Sequence, residues 1–251
     1  MATAKDIILK PIPAKQANEL VKRVHYSGTV DPRSSLHIGA FYGGRIEGAI
    51  QFGIPIDKRK MLSLVSGSKW NEVIELNRMA FSDVLPKNSE SRSLSVSFRL
   101  IKKHRPDIRW VISFADATQC GDGAIYRAAG FVLTQIKKNT QIVEFPDGYK
   151  VTRYVLTNLS MGKRDVIAKK YGIILGSGSS IKPFLDFGAK YVPGYQLRYI
   201  YFLDPTARQR LTVAEIPFSR IAEVGATMYK GHASNKGNHP DQGQGGGAVP
   251  T

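Results

Sequence analysis

His25, Asp116 and Tyr126 have the types and settings of a proton-transfer group. His25 follows an apolar-periodic helix, Asp116 closes an apolar strand, and Tyr126 lies about two to three helical turns of chain further on. Imidazole is the side chain best poised to move a proton near neutral pH. A carboxylate at Asp116 would orient that imidazole or polarise an amine. Ligands of α/β sheets bind at the C-terminal ends of the strands. Each residue also has a structural role open to it: a helix-end cap for His25, a turn or cap for Asp116, helix packing for Tyr126. Glu75 and Asn77 share one side of an alternating strand and face either the same cleft or solvent. Residues 176–182 are rich in Gly and Ser but lack the Gly-Lys-Ser/Thr ending of a phosphate loop.

Alternating elements must position these groups. Asp6 to Ile12 reads as a strand, and Pro13 suits the first turn of a helix over Ala14 to Val24, with Ala17, Leu20, Val21 and Val24 on one face. Leu36 to Tyr42 and Arg45 to Phe52 form a hairpin about Gly43 and Gly44. Val73 to Phe81 is a strand, Ser89 to His104 a helix capped by Ser89, and Arg109 to Ala115 a buried strand. Asp122 to Ala129 is a short helix closed by Gly130. Phe131 to Ile142 and Tyr149 to Leu156 are expected as a final strand pair. Strands and helices mixed in this way imply an α/β sheet covered by helices. Residues 1–157 are expected as the catalytic domain, with residues 158–230 an extension packed on its sheet. That extension holds a basic helix over Met161 to Tyr171 and an aromatic strand over Gln196 to Leu203. Residues 231–251, nearly free of apolar side chains, are expected as a disordered tail.

Charge narrows the function. Among 251 residues, 36 Lys and Arg stand against 20 Asp and Glu, a net charge of +16. Such an excess points to a polyanionic partner, above all nucleic acid. Candidate phosphate contacts are Lys102, Lys103 and Arg105, Lys137 and Lys138, Lys163 and Arg164, and Lys169 and Lys170, with Arg208 and Arg210 beyond them. Tyr191, Tyr195, Tyr199, Tyr201 and Phe202 either stack an extruded base or pack the core. No apolar run approaches the roughly 18 residues of a membrane span. The N-terminal segment has no signal-peptide core, so no export is expected. One cysteine, Cys120, excludes an internal disulfide and fits a reducing cytoplasm.

The element order, ending in Tyr126-Arg127-Ala128-Ala129-Gly130-Phe131, resembles the GNAT acyltransferase superfamily: a mixed, mostly antiparallel sheet flanked by helices. That resemblance implies that Tyr126 protonates a departing CoA thiolate. It also implies that CoA pyrophosphate binds at the N-terminus of the helix at residues 89–104, where Lys87, Ser91 and Arg92 are the candidate ligands. The Gly-rich loop usual there is absent, so ordinary CoA binding is in question.

A narrower resemblance is carried by His25-Tyr26-Ser27, Glu75-Leu76-Asn77-Arg78-Met79, Glu90-Ser91-Arg92, the run from Phe114 to Tyr126, and Tyr195 to Phe202. Together, over residues 5–230, they resemble the phage Mom proteins. The resemblance implies conversion of adenine N6 in double-stranded DNA to a carbamoylmethyl derivative that shields phage DNA from restriction in the host cytoplasm. The active-site residues it carries over are His25, Asp116 and Tyr126, with Tyr42 and Ser95. The expected donor is acetyl-CoA or another activated acyl or glycyl unit. His25, Tyr42, Asp116 and Tyr126 also have the donor chemistry of a non-haem iron site, although no metal-ligand spacing is present. Two other readings stay open: an N-acetyltransferase of protein or small-molecule amines, and a DNA-binding protein without catalysis.

Overall fold

A computed structural model describes residues 3–25, 27–117, 120–121, 123–226, 228–229 and 232–233. The strands are β1 (Ile8–Pro11), β2 (Ser34–Tyr42), β3 (Arg45–Gly53), β4 (Val73–Phe81), β5 (Trp110–Asp116), β6 (Cys120–Gly121), β7 (Val132–Lys138), β8 (Ile142–Glu144), β9 (Lys150–Thr152), β10 (Lys190–Tyr191), β11 (Tyr195–Phe202), β12 (Met228–Tyr229) and β13 (His232–Ala233). The helices are α1 (Ala14–Val24), α2 (Lys58–Leu62), α3 (Ser89–His104), α4 (Ala124–Ala128), α5 (Arg153–Thr157), α6 (Lys163–Tyr171), α7 (Lys182–Asp186), α8 (Pro205–Arg208) and α9 (Ser219–Glu223). The expected mixed α/β sheet flanked by helices is present. Its seven strands run in the order β1-β2-β3-β4-β5-β11-β7, and within it only β4 and β5 pair in parallel.

The sheet is covered on both faces. On one, Leu94, Phe98 and Ile101 recur at helical spacing along α3 and bury against Ile50, Phe52, Leu76, Val111 and Leu197. On the other, Ala17 and Leu20 of α1 lie on Ala49, while Met61, Leu64 and Val65 cover Val73, Trp110, Ile112 and Ile200. Burying a large apolar side chain contributes about 1.5–3 kcal/mol, so these two seams fix the sheet between its helices. Asn88, in the left-handed conformation, holds the cap position of α3 that Ser89 was expected to fill; Ser89 is the first helical residue.

Two irregularities matter for function. The ladder between β4 and β5 stops at Leu76 opposite Ser113, although both strands continue. At that point Asn77 is an extra residue in β4, since Gln51 pairs with Arg78 and Phe52 with Leu76. A bulge bends its strand, and β4 turns away with β3 while β5 stays with β11 as far as Asp116 opposite Gln196. The second bulge lies in β7. Arg198 pairs with Gln135 and Tyr199 with Leu133, leaving Thr134 over.

The expected extension proves to be something else. β11 is not packed on the sheet but lies inside it, between β5 and β7, so the boundary at residue 157 cuts through one folded unit. Residues 139–194 leave the sheet after β7, form their own core around Val143, Phe145, Leu156, Ile167 and Phe184, and return at β11. Asn139 closes the base of this insertion, donating to the carbonyls of Ile142 and Val192 at 3.0 and 2.8 Å. Tyr149 to Leu156, expected as strand, is the short β9 followed by α5. In the expected tail, His232–Ala233 pair with β12, and residues 234–251 lie outside those described.

A chain ending at residue 157 would expose one edge of β5 and uncover Trp110 and Ile112. It is expected to be insoluble, or to lack near-ultraviolet circular dichroism. A detachable extension would leave it folded.

Candidate active site

The point where β4 and β5 part carries a chain of hydroxyls. Ser113 Oγ donates to the Leu76 carbonyl at 3.2 Å, and Tyr126 Oη lies 3.1 Å from Ser113 Oγ. Tyr126 is held by its ring. It stacks on Tyr199 at 4.1 Å and 5°, and Phe131 meets it edge-on at 5.2 Å. Gly123 makes room for this stack: its φ is +73°, and a Cβ there would lie 2.6 Å from Tyr199 Oη. The phenol is therefore fixed at the floor of the fork by a helix, a strand and two aromatic rings. Ser113 has one signal in the sequence, a polar residue inside an otherwise apolar strand.

Asp116 and His25 approach the fork from its two arms. Asp116 ends β5, and Gln196 Nε2 donates to its Oδ1 at 2.8 Å. His25 leaves α1 half-buried, and the Ser27 backbone N–H donates to its Nδ1 at 3.2 Å. Ser27 Oγ lies 2.8 Å from the same nitrogen. Burial, reinforced by the positive charge of Arg78 on β4, lowers the imidazole to about pKa 4, so it is uncharged at neutral pH. Arg78 itself donates to the carbonyls of Thr29 and Asn77 at 3.1 and 2.7 Å, tying the segment after His25 to the bulge. Arg78 was not singled out as a site residue from the sequence, because it and Thr29, 49 positions apart, meet only in the fold.

Glu75 and Asn77, expected to face the cleft or solvent, are both buried. Arg33 and the Ile56 backbone N–H bond Glu75, each at 3.3 Å, and Ser34 donates to Asn77 Oδ1 at 3.1 Å. Burial raises the Glu75 carboxyl, and Arg33 opposes that shift. These two residues hold the 31–56 segment against β4.

Other expected site residues fall elsewhere. Ser95 is exposed on α3, because Ser93 and Ser97 occupy the helix face turned to the sheet; this corrects its expected role. Tyr42 ends β2 at the hairpin, two strands away from β4. Lys87 is exposed just before α3, and Ser91 Oγ donates to the Asn88 carbonyl at 3.3 Å. Arg92 turns away from any ligand at that helix end, its Nε and Nη2 donating to the carbonyls of Ala4 and Lys5 at 2.6 and 3.3 Å. In the first turn of α3 the Ser89 amide donates to the Pro86 carbonyl at 3.2 Å and that of Arg92 to the Asn88 carbonyl at 3.1 Å, so an anion there would meet the amides of Glu90 and Ser91. Among the described residues no three His, Cys, Asp or Glu side chains gather as a metal site, and Tyr42 stands apart from the rest of the expected iron ligands.

The basic runs divide in the same way. Lys137 and Lys138 are exposed at the end of β7, and Lys137 lies opposite Gln196, in one row with Asp116. Lys102, Lys103 and Arg105 stand at the other end of α3, about 24 Å along a 16-residue helix from its first turn. Arg105 is also engaged by Asp107 at 2.8 and 2.9 Å. Arg164 is a correction: at 4% exposure it is buried and donates to the carbonyls of Leu156 and Gly178, tying the insertion together. Lys163 and Lys169 are exposed, and Lys170 pairs with Asp147 at 3.0 Å. Arg208 is held by Glu215 at 2.7 Å, and Arg210 by the Ser66 carbonyl at 2.7 Å. Tyr199 is fully buried, so of the aromatic cluster it packs rather than presents a free face.

The Tyr126 phenol where β4 and β5 part, Asp116 at the end of β5 and His25 beside Arg78 of β4 make this the candidate active site. The chain belongs to the Mom protein family, whose model it matches over residues 6–220. It is 29% identical over 209 residues to the methylcarbamoylase mom of Escherichia phage Mu, covering 83% of this chain and 80% of that protein. Among solved structures it is similar to a GNAT superfamily phosphinothricin acetyltransferase of Sinorhizobium meliloti, with a TM-score of 0.46 and 10% identity over 85% of this chain and 97% of that one. An acetyltransferase of Bacillus subtilis gives a TM-score of 0.42 and 11% identity, over 78% and 97%. No described helix is long and apolar enough to cross a membrane.

The lowered His25 basicity has a sign that can be checked. The folded state binds fewer protons than the unfolded state between the ordinary value of 6.5 and about 4. Its contribution to stability is therefore present above pH 6.5 and is lost as pH falls toward 4. Imidazole NMR is expected to show His25 titrating near 4, and Arg78→Met to move it upward while leaving it below 6.5, because burial is the larger cause. An unchanged titration in Arg78→Met would remove Arg78 from the site.

Proposed function

We propose that this chain is a phage DNA modification enzyme that converts adenine N6 in double-stranded DNA to N6-carbamoylmethyladenine and so protects the DNA from host restriction. What carries the reading is the Tyr126 phenol at the floor of the β4–β5 fork, in a chain of the Mom family. The name of the phage Mu relative, a methylcarbamoylase, and the large positive charge support it.

The product sets the chemistry. Attack of N6 on a thioester carbonyl would give an N-acyladenine. A carbamoylmethyl product needs a bond from N6 to a methylene carbon, with the leaving group departing from that carbon and one proton lost from N6. The incoming amine turns strongly acidic as that bond forms, so a weak base suffices. The Asp116 carboxylate, oriented by Gln196, or the uncharged His25 takes the proton. Tyr126, bonded to Ser113, protonates the departing group. For the step to balance, the donor is a carbamoylmethyl unit whose leaving group sits on the methylene carbon, X–CH2–C(O)NH2. N6 displaces X, X takes a proton from Tyr126, and N6 gives one proton to Asp116 or His25, while a plain acyl-CoA thioester would deliver only an N-acyl product. Lys137 and Lys138, exposed at the strand end where β11 pairs β5 at Asp116, are candidate cations for the DNA backbone.

Expression in a bacterial host, digestion of the DNA and mass measurement of the nucleosides test the reading. A modified deoxyadenosine is expected. Tyr126→Phe keeps the ring stacked on Tyr199 and is expected to fold normally while lowering modification about 10²–10⁴-fold. Asp116→Ala is expected to abolish it. Unaltered nucleosides from a well-expressed protein overturn the reading, and CoA-dependent acetylation of a protein or small amine without DNA would replace it.

A further inference from the structure

β5, β11 and β7 present a row of side chains in which Phe114 and Arg198 have no part in the chemistry above. Phe114 and Asp116 are two residues apart on β5 and so share a face. Arg198 lies opposite Phe114, and Gln196 opposite both Asp116 and Lys137. Directly opposed residues of antiparallel strands point the same way. Phe114, Asp116, Arg198, Gln196 and Lys137 thus occupy one face, the face away from Ser113 and Tyr126. The fork connects the two.

Two of these residues are out of keeping with a sheet that has only to fold. Phe114 is 38% exposed, whereas the strand residues before it, Trp110, Val111 and Ile112, are wholly buried. Arg198 is 8% exposed, yet no described carboxylate pairs with it. Its Nε and Nη2 are held by the hydroxyl and carbonyl of Thr134, the bulged residue of β7, at 3.0 and 3.2 Å. A buried guanidinium costs free energy unless an anion meets it, and here the protein fixes its direction without supplying that anion.

We propose that this face is the seat of the extruded adenine nucleotide: Phe114 stacks the base, Asp116 with Gln196 receives its N6 edge at the fork, and Arg198 with Lys137 holds its phosphate. The spacing suits one nucleotide, because β5 and β7 lie two strand spacings apart, about 9–10 Å, the reach from the amino edge of adenine to its own phosphate. An exposed ring serves an unstacked base because every base has a π-face, and the arginine fork matches phosphate oxygens. The donor then approaches from the Tyr126 side of β5 and the base from the other.

The inference rests on the adenine-modification reading, and the experiment separates the two. Host-DNA nucleosides are compared for the wild type and for Phe114→Leu, Phe114→Trp and Lys137→Ala. Melting temperature is recorded for each, with fluorescence anisotropy on a mixed-sequence DNA duplex. Phe114→Leu keeps apolar bulk but no ring. It is expected to lower modification by about tenfold or more, with melting temperature and duplex affinity close to wild type, and Phe114→Trp is expected to restore modification. Lys137→Ala is expected to lower modification and duplex affinity together. A folded Phe114→Leu protein that modifies DNA as well as the wild type overturns the seat and leaves the function intact. A wild type that modifies no adenine overturns both.

Discussion

The site depends on one interruption of a hydrogen-bond ladder. A parallel pair in the middle of a sheet would normally stay zipped along its length, because each unpaired buried amide or carbonyl carries a penalty. Here the extra residue Asn77 bends β4 just past Leu76, and each strand finds its hydrogen bonds on its outer side, β4 with β3 and β5 with β11. On the inner side the ladder is lost, and side chains take over part of it: the Leu76 carbonyl accepts from Ser113 and the Asn77 carbonyl from Arg78. The floor of the fork is the Leu76 carbonyl, which takes the Ser113 hydroxyl, which in turn meets the Tyr126 phenol. Asp116 lies one turn of the pleat further out on β5, and Arg78, which sets the charge around His25, lies on β4 just past the bulge.

Electrostatics around the fork follow from burial more than from ion pairing. His25 is uncharged because it is desolvated and faces a cation. Glu75 is held between burial, which raises its carboxyl, and Arg33, which lowers it. Several of the basic side chains are already engaged: Arg105, Lys170 and Arg208 by carboxylates, and Arg164 by carbonyls in the core of the insertion. Net charge is thus a guide to the class of partner and a poor guide to the footprint. The exposed cations that share the strand end with Asp116 are those of β7.

Much of the local structure was legible in the sequence. The hairpin about Gly43 and Gly44, the amphipathic helices at 14–24 and 89–104, and the apolar strand before Asp116 each follow from periodicity or turn chemistry within a short window. The Tyr126 helix with its glycine cap was legible for the same reason. Ser95 was misread because helical phase decides which serine of a serine-rich helix meets the sheet; Ser93 and Ser97 share the buried face with Leu94 and Phe98, and Ser95 does not. The basic runs were over-read because a run of cations does not disclose which carboxylate or carbonyl will lie beside each one.

By itself the sequence determined most of the elements, their order, the mixed α/β class and the net charge of +16, since these rest on side-chain type and spacing along one segment. The tertiary structure alone decided that β11, about 80 residues beyond Asp116, enters the sheet beside β5 and brings Gln196 and Arg198 to it. It alone decided that a bulge parts β4 from β5. Both depend on register between segments far apart in the chain, where a shift of one residue would turn every side chain to the other face.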